Sequence, residues 1–121
     1  SISGRYVLNG DKVGTEYSFT GQATEHFRLV RACVVNPSNE RTITYTVKNT
    51  GSVAVSFTAH QVNSGTDTTN APSSGVITLQ PNDETTFDMT FKYSNQNVML
   101  LITLEQAVQN ATIWVSAEIS D

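Results

Sequence analysis

The chain has 121 residues, of which 38% are hydrophobic and only 15% are charged, and its formal net charge is −4. This length is typical of one domain, so we expect residues 1–121 to form a single domain. The seven lysines and arginines are scattered rather than gathered into a basic stripe, which argues against nucleic-acid binding. No apolar run approaches the roughly 18 residues that a membrane-spanning helix needs.

In the first half of the chain, turn residues separate short predicted strands. Asn9 and Gly10 tolerate the positive φ of a type I′ turn, so they predict a hairpin between strands near residues 5–8 and 15–19. Three further strands, near 27–35, 42–48 and 53–62, are separated by Asn- and Gly-containing turns. Their order and short connections predict a meander.

The second half begins with a polar segment at residues 64–75, which we predict to be a mobile loop or a binding loop because it cannot pack a core. Strands are then predicted near 76–79, 85–93, 98–106 and 112–120. No stretch has a sustained helical repeat of apolar residues. The predicted fold class is therefore all-β, an antiparallel β-sandwich of about eight or nine strands.

Strict alternation of apolar and polar residues separates two faces in several strands. The polar face carries Thr42, Thr44, Thr46 and Lys48 in one strand, and similar residues in others. The apolar positions predict the core between two sheets. These positions are Ile43, Tyr45, Val47, Val53, Val55, Phe57, Phe87, Met89, Phe91, Leu100, Ile102, Leu104, Ile113, Val115 and Ala117.

Trp114 lies on the polar face of the last predicted strand, between Thr112 and Ser116. The preceding strand carries Glu105 on its own non-core face. If these two strands pair, Trp114 lies in a half-apolar patch between Glu105 and Glu118. An indole that exposes about 100 Å² forfeits about 2.5 kcal/mol of burial, so a cover or a ligand is expected.

Besides a register shift caused by a β-bulge, two explanations of Trp114 remain open at this stage. In the first, Tyr6 and Leu8, or the loop at 64–75, fold over the indole. In the second, the indole is a flat platform for a sugar ring, whose CH-rich face stacks on aromatic groups while nearby carboxylates and amides bind its hydroxyls.

The sequence contains no motif that indicates catalysis, and we expect no enzymatic activity. His26 and His60 have no Cys or Asp at a spacing that completes a triad, and no G-x-S-x-G motif is present. Glu105 and Glu118 could form a glycosidase pair only if they lay about 5–10 Å apart around a sugar. A sandwich of this size rarely encloses such a site.

Acidic residues near one turn suggest a structural calcium ion, although no cofactor is required. Asp83, Glu84 and Asp88 carry the oxygen ligands that calcium prefers, and Asp67 in the predicted loop is an alternative. The same residue types are also common in turns.

Residues 86–91 (TFDMTF), 100–105 (LLITLE) and 113–119 (IWVSAEI) resemble the last strands of jelly-roll carbohydrate-binding modules of families 4, 9 and 22. The resemblance implies a jelly roll and a non-catalytic module of a larger secreted or surface protein, which binds a polysaccharide or other glycan on one sheet face. Ser116 and Ala117 stand where the family carries acids that help to hold calcium, so the resemblance implies no calcium ligands at these two positions.

A second resemblance supports an alternative. Residues 47–53 and 79–84 resemble the turn patterns of Ig-like accessory domains of bacterial and archaeal surface proteins. This resemblance implies a structural or adhesive domain of a cell-surface or filament protein. We favour the jelly roll.

The carbohydrate-binding hypothesis assigns roles to individual residues. Trp114 stacks on the sugar, Glu105, Glu118 and His60 bind its hydroxyl groups, and Tyr93 or Arg28 lines the cleft. We expect the protein to be extracellular and to be either a monomer or part of a multidomain chain.

Overall fold

The computed structural model describes residues 5–8, 14–19, 24–33, 41–62, 67–91, 97–106, 108 and 110–119. Nine β-strands lie in these ranges, and no helix there is long and apolar enough to cross a membrane. The strands are β1 (Arg5–Leu8), β2 (Thr15–Phe19), β3 (Thr24–Cys33), β4 (Arg41–Asn49), β5 (Val55–Val62), β6 (Ser73–Leu79), β7 (Glu84–Phe91), β8 (Asn97–Leu104) and β9 (Ala111–Ile119).

The strands form two antiparallel sheets. One sheet has the order β1-β3-β8-β5-β6, and the other has the order β2-β9-β4-β7. Strands β2 to β9 alternate between the sheets except at the β5–β6 hairpin. This is the connectivity of an eight-stranded jelly roll, with β1 added beside β3. The predicted all-β jelly-roll sandwich is confirmed, and the Ig-like order of strands is not observed.

Two predicted pairings are wrong for a common reason. The predicted hairpin at Asn9 and Gly10 would pair β1 with β2, but these strands lie in different sheets, and residues 9–13 lie outside the described residues. The predicted meander would pair β3, β4 and β5, but β4 lies in the opposite sheet. Turn residues show that the chain reverses, whereas the sheet to which it returns depends on long-range packing.

The core predicted from alternation is confirmed in β4, β5, β8 and β9, where the inward positions are at most 4% exposed. Phe87 is partly buried and packs against the core. Val53 is 37% exposed, contrary to prediction, because β5 begins only at Val55. The side chain of Phe91 lies outside the described residues.

A buried asparagine closes one end of the sandwich. Asn49 is 0% exposed, and its Nδ2 donates hydrogen bonds to the backbone oxygens of Val53 (2.8 Å) and Leu79 (3.0 Å). Its Oδ1 accepts a hydrogen bond from the Gly51 N–H at 3.0 Å. The side chain thus joins the end of β4 to the end of β6, and it fixes the bend that follows β4.

A tyrosine hydroxyl is also buried and paired. The Tyr45 hydroxyl donates a hydrogen bond to Oε1 of Gln61, and Nε2 of Gln61 donates to the Thr90 carbonyl oxygen at 3.2 Å. Because Tyr45 is 0% exposed, desolvation raises the pKa of its hydroxyl group well above 10.0. These bonds link the two sheets.

The predicted loop is shorter than expected, because β6 begins at Ser73. Within the described part of the loop, Oδ1 of Asp67 accepts a hydrogen bond from the Thr69 N–H at 3.0 Å. This bond lowers the pKa of the Asp67 carboxyl group. Residues 63–66 lie outside the described residues.

Candidate functional site

Trp114 lies in a row of side chains that crosses the outer face of the four-stranded sheet. The strand register places Glu16 of β2 on one side of Trp114 and Lys48 of β4 on the other, and it places Glu84 of β7 beside Lys48. Neighbouring strands lie about 4.8 Å apart. We call Glu16, Trp114, Lys48 and Glu84 the Trp114 row.

A shallow groove lies along part of this row. It has a volume of about 290 Å³ and is lined by Lys48, Thr50, Glu84 and Trp114. The indole is half-buried, while Thr50 and Glu84 are exposed. The groove therefore brings together an aromatic ring, a hydroxyl group, an ammonium group and a carboxylate on the β4 and β7 side of the ring.

The opposite side of the indole lies against Gly14, which immediately precedes β2. A Cβ atom at Gly14 would lie 2.1 Å from both Cε2 and Cζ2 of Trp114, and 2.2 Å from its Nε1. These three atoms lie on one edge of the indole, so that edge is in contact with the backbone of Gly14. Sequence reasoning missed this residue, because a glycine before a strand is also what an ordinary turn contains.

One boundary of the groove is fixed by hydrogen bonds. The backbone N–H groups of Thr50 and Gly51 both donate to the Thr112 carbonyl oxygen at 3.1 Å. The Thr50 hydroxyl donates to Oε2 of Glu16 at 3.0 Å. The bend after β4 is thereby held to β9, and Glu16 is held beside Trp114.

Apart from Thr50, the polar side chains that line the groove have no hydrogen-bond or ion-pair partner among the described residues. Within the described part of the chain, no hydrogen bond or ion pair involves Nε1 of Trp114, the Lys48 ammonium group or the Glu84 carboxylate.

Glu105 does not lie near Trp114, contrary to prediction. It follows β8 in the five-stranded sheet, whereas Trp114 belongs to the four-stranded sheet, so their strands do not pair. Its Oε1 accepts a hydrogen bond from the Thr58 hydroxyl at 3.0 Å. Glu105 and Glu118, which the sequence analysis considered as a glycosidase pair and did not favour, belong to different sheets.

Glu118 and His60 are also separated from the groove. Glu118 shares the outer face with Trp114, but it lies four residues further along β9 and beside Thr44, about 13 Å away along the strand. His60 belongs to β5 of the five-stranded sheet and lies beside Leu101. Its Nδ1 is buried and has no hydrogen-bond partner in the described residues.

Two predicted cleft residues cannot be placed fully. Arg28 belongs to β3 of the five-stranded sheet, and its side chain lies outside the described residues. Tyr93 also lies outside them. Of the six predicted ligand-binding residues, the structure places Trp114 in the groove, and the binding role of every one of them stays a prediction.

The three predicted calcium ligands each have a different role in the structure. Oδ2 of Asp83 accepts a hydrogen bond from the Gln80 N–H at 2.9 Å within the β6–β7 turn, and Oδ1 of Asp88 accepts one from the Thr44 hydroxyl at 2.8 Å. Glu84 lines the groove and lies four residues, or about 13 Å, from Asp88. No group of three His, Cys, Asp or Glu residues in the described part of the chain could hold a metal ion.

Comparisons with known proteins find similarity in structure only. No family model matches the chain, and no curated protein matches it. A sugar-binding protein described as the EclA C-terminal domain superposes with a TM-score of 0.52 at 13% identity, and the match covers 96% of this chain and 83% of that one.

Two further structures match less well. A structure described as "CBM4 structure and function" gives a TM-score of 0.45 at 12% identity, with 98% of this chain and 78% of that chain covered. The K1 cleaved adhesin domain of Lys-gingipain from Porphyromonas gingivalis gives 0.49 at 9% identity, with 98% and 90% covered. At the level of fold, the resemblance to jelly-roll carbohydrate-binding modules is confirmed: this chain has the jelly-roll connectivity and shares its fold with a sugar-binding domain.

Proposed function

We propose that this domain is a non-catalytic carbohydrate-binding module and that it binds its ligand in the groove beside Trp114. The observation that carries the proposal is a half-buried indole with one edge against Gly14 and an open groove on its other side, lined by Lys48, Thr50 and Glu84. Sugars have CH-rich faces that stack on aromatic rings, and their hydroxyl groups require donors and acceptors near that ring.

The chemistry of the groove suits a ligand that carries many hydroxyl groups. The Lys48 ammonium group can only donate hydrogen bonds and the Glu84 carboxylate can only accept them, while the Thr50 hydroxyl group, which already donates to Glu16, can accept one from a ligand. The groove volume of about 290 Å³ is just below the range of about 300–1,000 Å³ for small-molecule sites. We therefore expect the groove to hold one sugar unit of a longer chain.

The shared fold with a sugar-binding domain supports this proposal without testing it. We further propose that the module acts outside the cell, as part of a larger secreted or surface protein. Polysaccharides are abundant there, and this chain is rich in Thr, Ser and Asn and poor in charge.

Affinity electrophoresis against a panel of polysaccharides tests the proposal. Wild-type protein should be retarded by at least one glycan, and Trp114→Ala should migrate as if that glycan were absent. Thr90→Ala is the matched control, because Thr90 is exposed on the same sheet face at the far end of β7. It should be retarded like wild type.

Two results would contradict the proposal. Retardation that survives Trp114→Ala would place the binding surface elsewhere. Absence of retardation by any glycan, together with self-association that rises with protein concentration, would favour the structural or adhesive alternative.

A further inference from the structure

We infer that Gly14 is a positioning residue of the binding site: its backbone holds one edge of the Trp114 indole and so keeps the groove beside the ring open. The expected effect of Gly14 on glycan binding rests on the proposed function. The orientation of the indole can, however, be measured without any ligand.

The contact leaves no room for a side chain at position 14. Non-bonded carbon atoms prefer to lie about 3.5–4.0 Å apart, whereas a Cβ at Gly14 would be 2.1 Å from two indole carbons. Gly14 also has a φ of +90°, which residues with a side chain rarely adopt. Glycine therefore meets two separate requirements here, one of backbone conformation and one of contact with the indole.

Gly14 cannot easily move away from the indole, because the residues after it are fixed. Thr15 and Glu16 pair with Val115 and Trp114 in the register between β2 and β9. Glu16 also accepts the hydrogen bond from the Thr50 hydroxyl. A larger residue at position 14 would therefore displace the indole rather than the strand.

The direction of that displacement gives the inference its functional meaning. The contact edge of the indole is on the β2 side, and the groove with Lys48 lies on the β4 side. An indole pushed off Gly14 moves towards Lys48 and fills the space that a sugar would occupy. The same geometry turns Nε1 towards Gly14, so the carbon atoms of the ring are what the groove presents.

The test compares Gly14→Ala with Gly75→Ala. Gly75 has a similar positive φ of 72°, but no atom lies within 4 Å of a Cβ built there. The control therefore has a comparable backbone cost without a clash with an indole. Trp114 is the only tryptophan in the chain, so fluorescence emission and iodide quenching report on this ring alone.

We expect Gly14→Ala to change the emission maximum and the quenching constant of Trp114 in the absence of ligand, and Gly75→Ala to leave both unchanged. Gly14→Ala should bind the glycan that retards the wild-type protein in affinity electrophoresis about tenfold more weakly than wild type does. This is the effect expected after loss of one important contact. Gly75→Ala should bind like wild type.

Each failure has a separate meaning. Wild-type fluorescence in Gly14→Ala would overturn the inference whether or not any glycan binds. A displaced indole with unchanged affinity would also overturn it, while the proposed function would stand. If no glycan binds wild type, the proposed function fails, and the fluorescence comparison still decides whether Gly14 positions the indole.

A further variant covers the case in which Gly14→Ala does not fold. Combining Gly14→Ala with Trp114→Leu removes the ring that the new Cβ would meet. We expect the double variant to fold with the stability of Trp114→Leu alone, apart from the cost that Gly75→Ala shows. A double variant that remains unfolded would show that the indole is not what constrains position 14.

Discussion

Lys48 on β4 is the register partner of Trp114 on β9, and both line the same groove on the outer face of the four-stranded sheet. Glu84 lies beside Lys48 on β7, so an aromatic ring, an ammonium group and a carboxylate come from three adjacent strands. Lys48 and Glu84 therefore lie on one side of the indole, and Gly14 lies on the other. This asymmetry leads us to expect that the ring contributes its apolar surface and that its neighbours contribute the hydrogen bonds.

Replacement of Trp114 by phenylalanine should separate stacking from hydrogen bonding. Nε1 lies at the edge that contacts Gly14, so loss of the N–H should have little effect on the ligand. We expect Trp114→Phe to weaken glycan binding by only about threefold and Trp114→Ala by about 30-fold, the equivalent of about 2 kcal/mol. Isothermal titration calorimetry with the retarding glycan measures both. Equal losses in the two variants would show that the indole N–H binds the ligand.

Asn49→Ala should destabilise the fold by about 3 kcal/mol, because its one buried and two partly buried hydrogen bonds each contribute about 1 kcal/mol. Urea unfolding followed by circular dichroism measures the loss. Ser52→Ala, at an exposed position in the adjacent bend, is the control and should change stability by less than about 0.5 kcal/mol. A loss below about 1 kcal/mol in Asn49→Ala would show that water replaces these bonds.

Because Tyr45 is buried, we expect the free energy of unfolding to fall in alkali. Burial raises the pKa of its hydroxyl group, so above pH 10.0 the unfolded chain loses this proton while the folded chain keeps it. The stability contributed by Tyr45 is complete below pH 10.0 and falls above it by about 1.4 kcal/mol per pH unit.

The variant Tyr45→Phe isolates this effect from the other tyrosines. At neutral pH it should lose about 1–2 kcal/mol, because Oε1 of Gln61 loses its buried donor. Urea unfolding at a series of pH values should show the difference from wild type shrinking above pH 10.0. A difference that stays constant up to pH 11.5 or so would contradict a buried, neutral Tyr45.

Calcium should have no effect through the acidic residues of the β6–β7 turn. The carboxylates of Asp83 and Asp88 are engaged by different donors, and Glu84 lies too far from Asp88 to share an ion with it. We expect the unfolding temperature to be the same in calcium chloride and in a chelator. A rise with calcium that both Asp83→Asn and Asp88→Asn abolish would contradict this expectation.

The core and the fold class could be predicted because alternation is a local signal. Residues such as Ile43, Phe57 and Ile113 are buried as their positions in the strand predict. Strand pairing could not be predicted from neighbouring segments. In the described residues, β5–β6 is the one observed pairing between consecutive strands, so assumptions based on adjacency failed.

Of the residues that line the groove, only Trp114 was predicted from the sequence to bind a ligand. It could be predicted because alternation is a local signal. Alternation alone placed Trp114 on an outer face, and this is confirmed by its neighbours in the row. Lys48 was on the predicted polar face of its own strand, but only the β4–β9 register brings it to Trp114. Gly14 lies 100 residues before Trp114 along the chain, and their contact depends on how β2 enters the sheet.

Tryptophan fluorescence during titration with the retarding glycan is the most direct test of a sugar-binding groove at Trp114, the single tryptophan of the chain. A sugar that stacks on the indole should shift the emission and protect it from iodide quenching, with the same dissociation constant as calorimetry gives. Thr90→Ala should reproduce this titration. Binding detected by calorimetry without any change in emission or quenching would contradict the assignment of the site to Trp114.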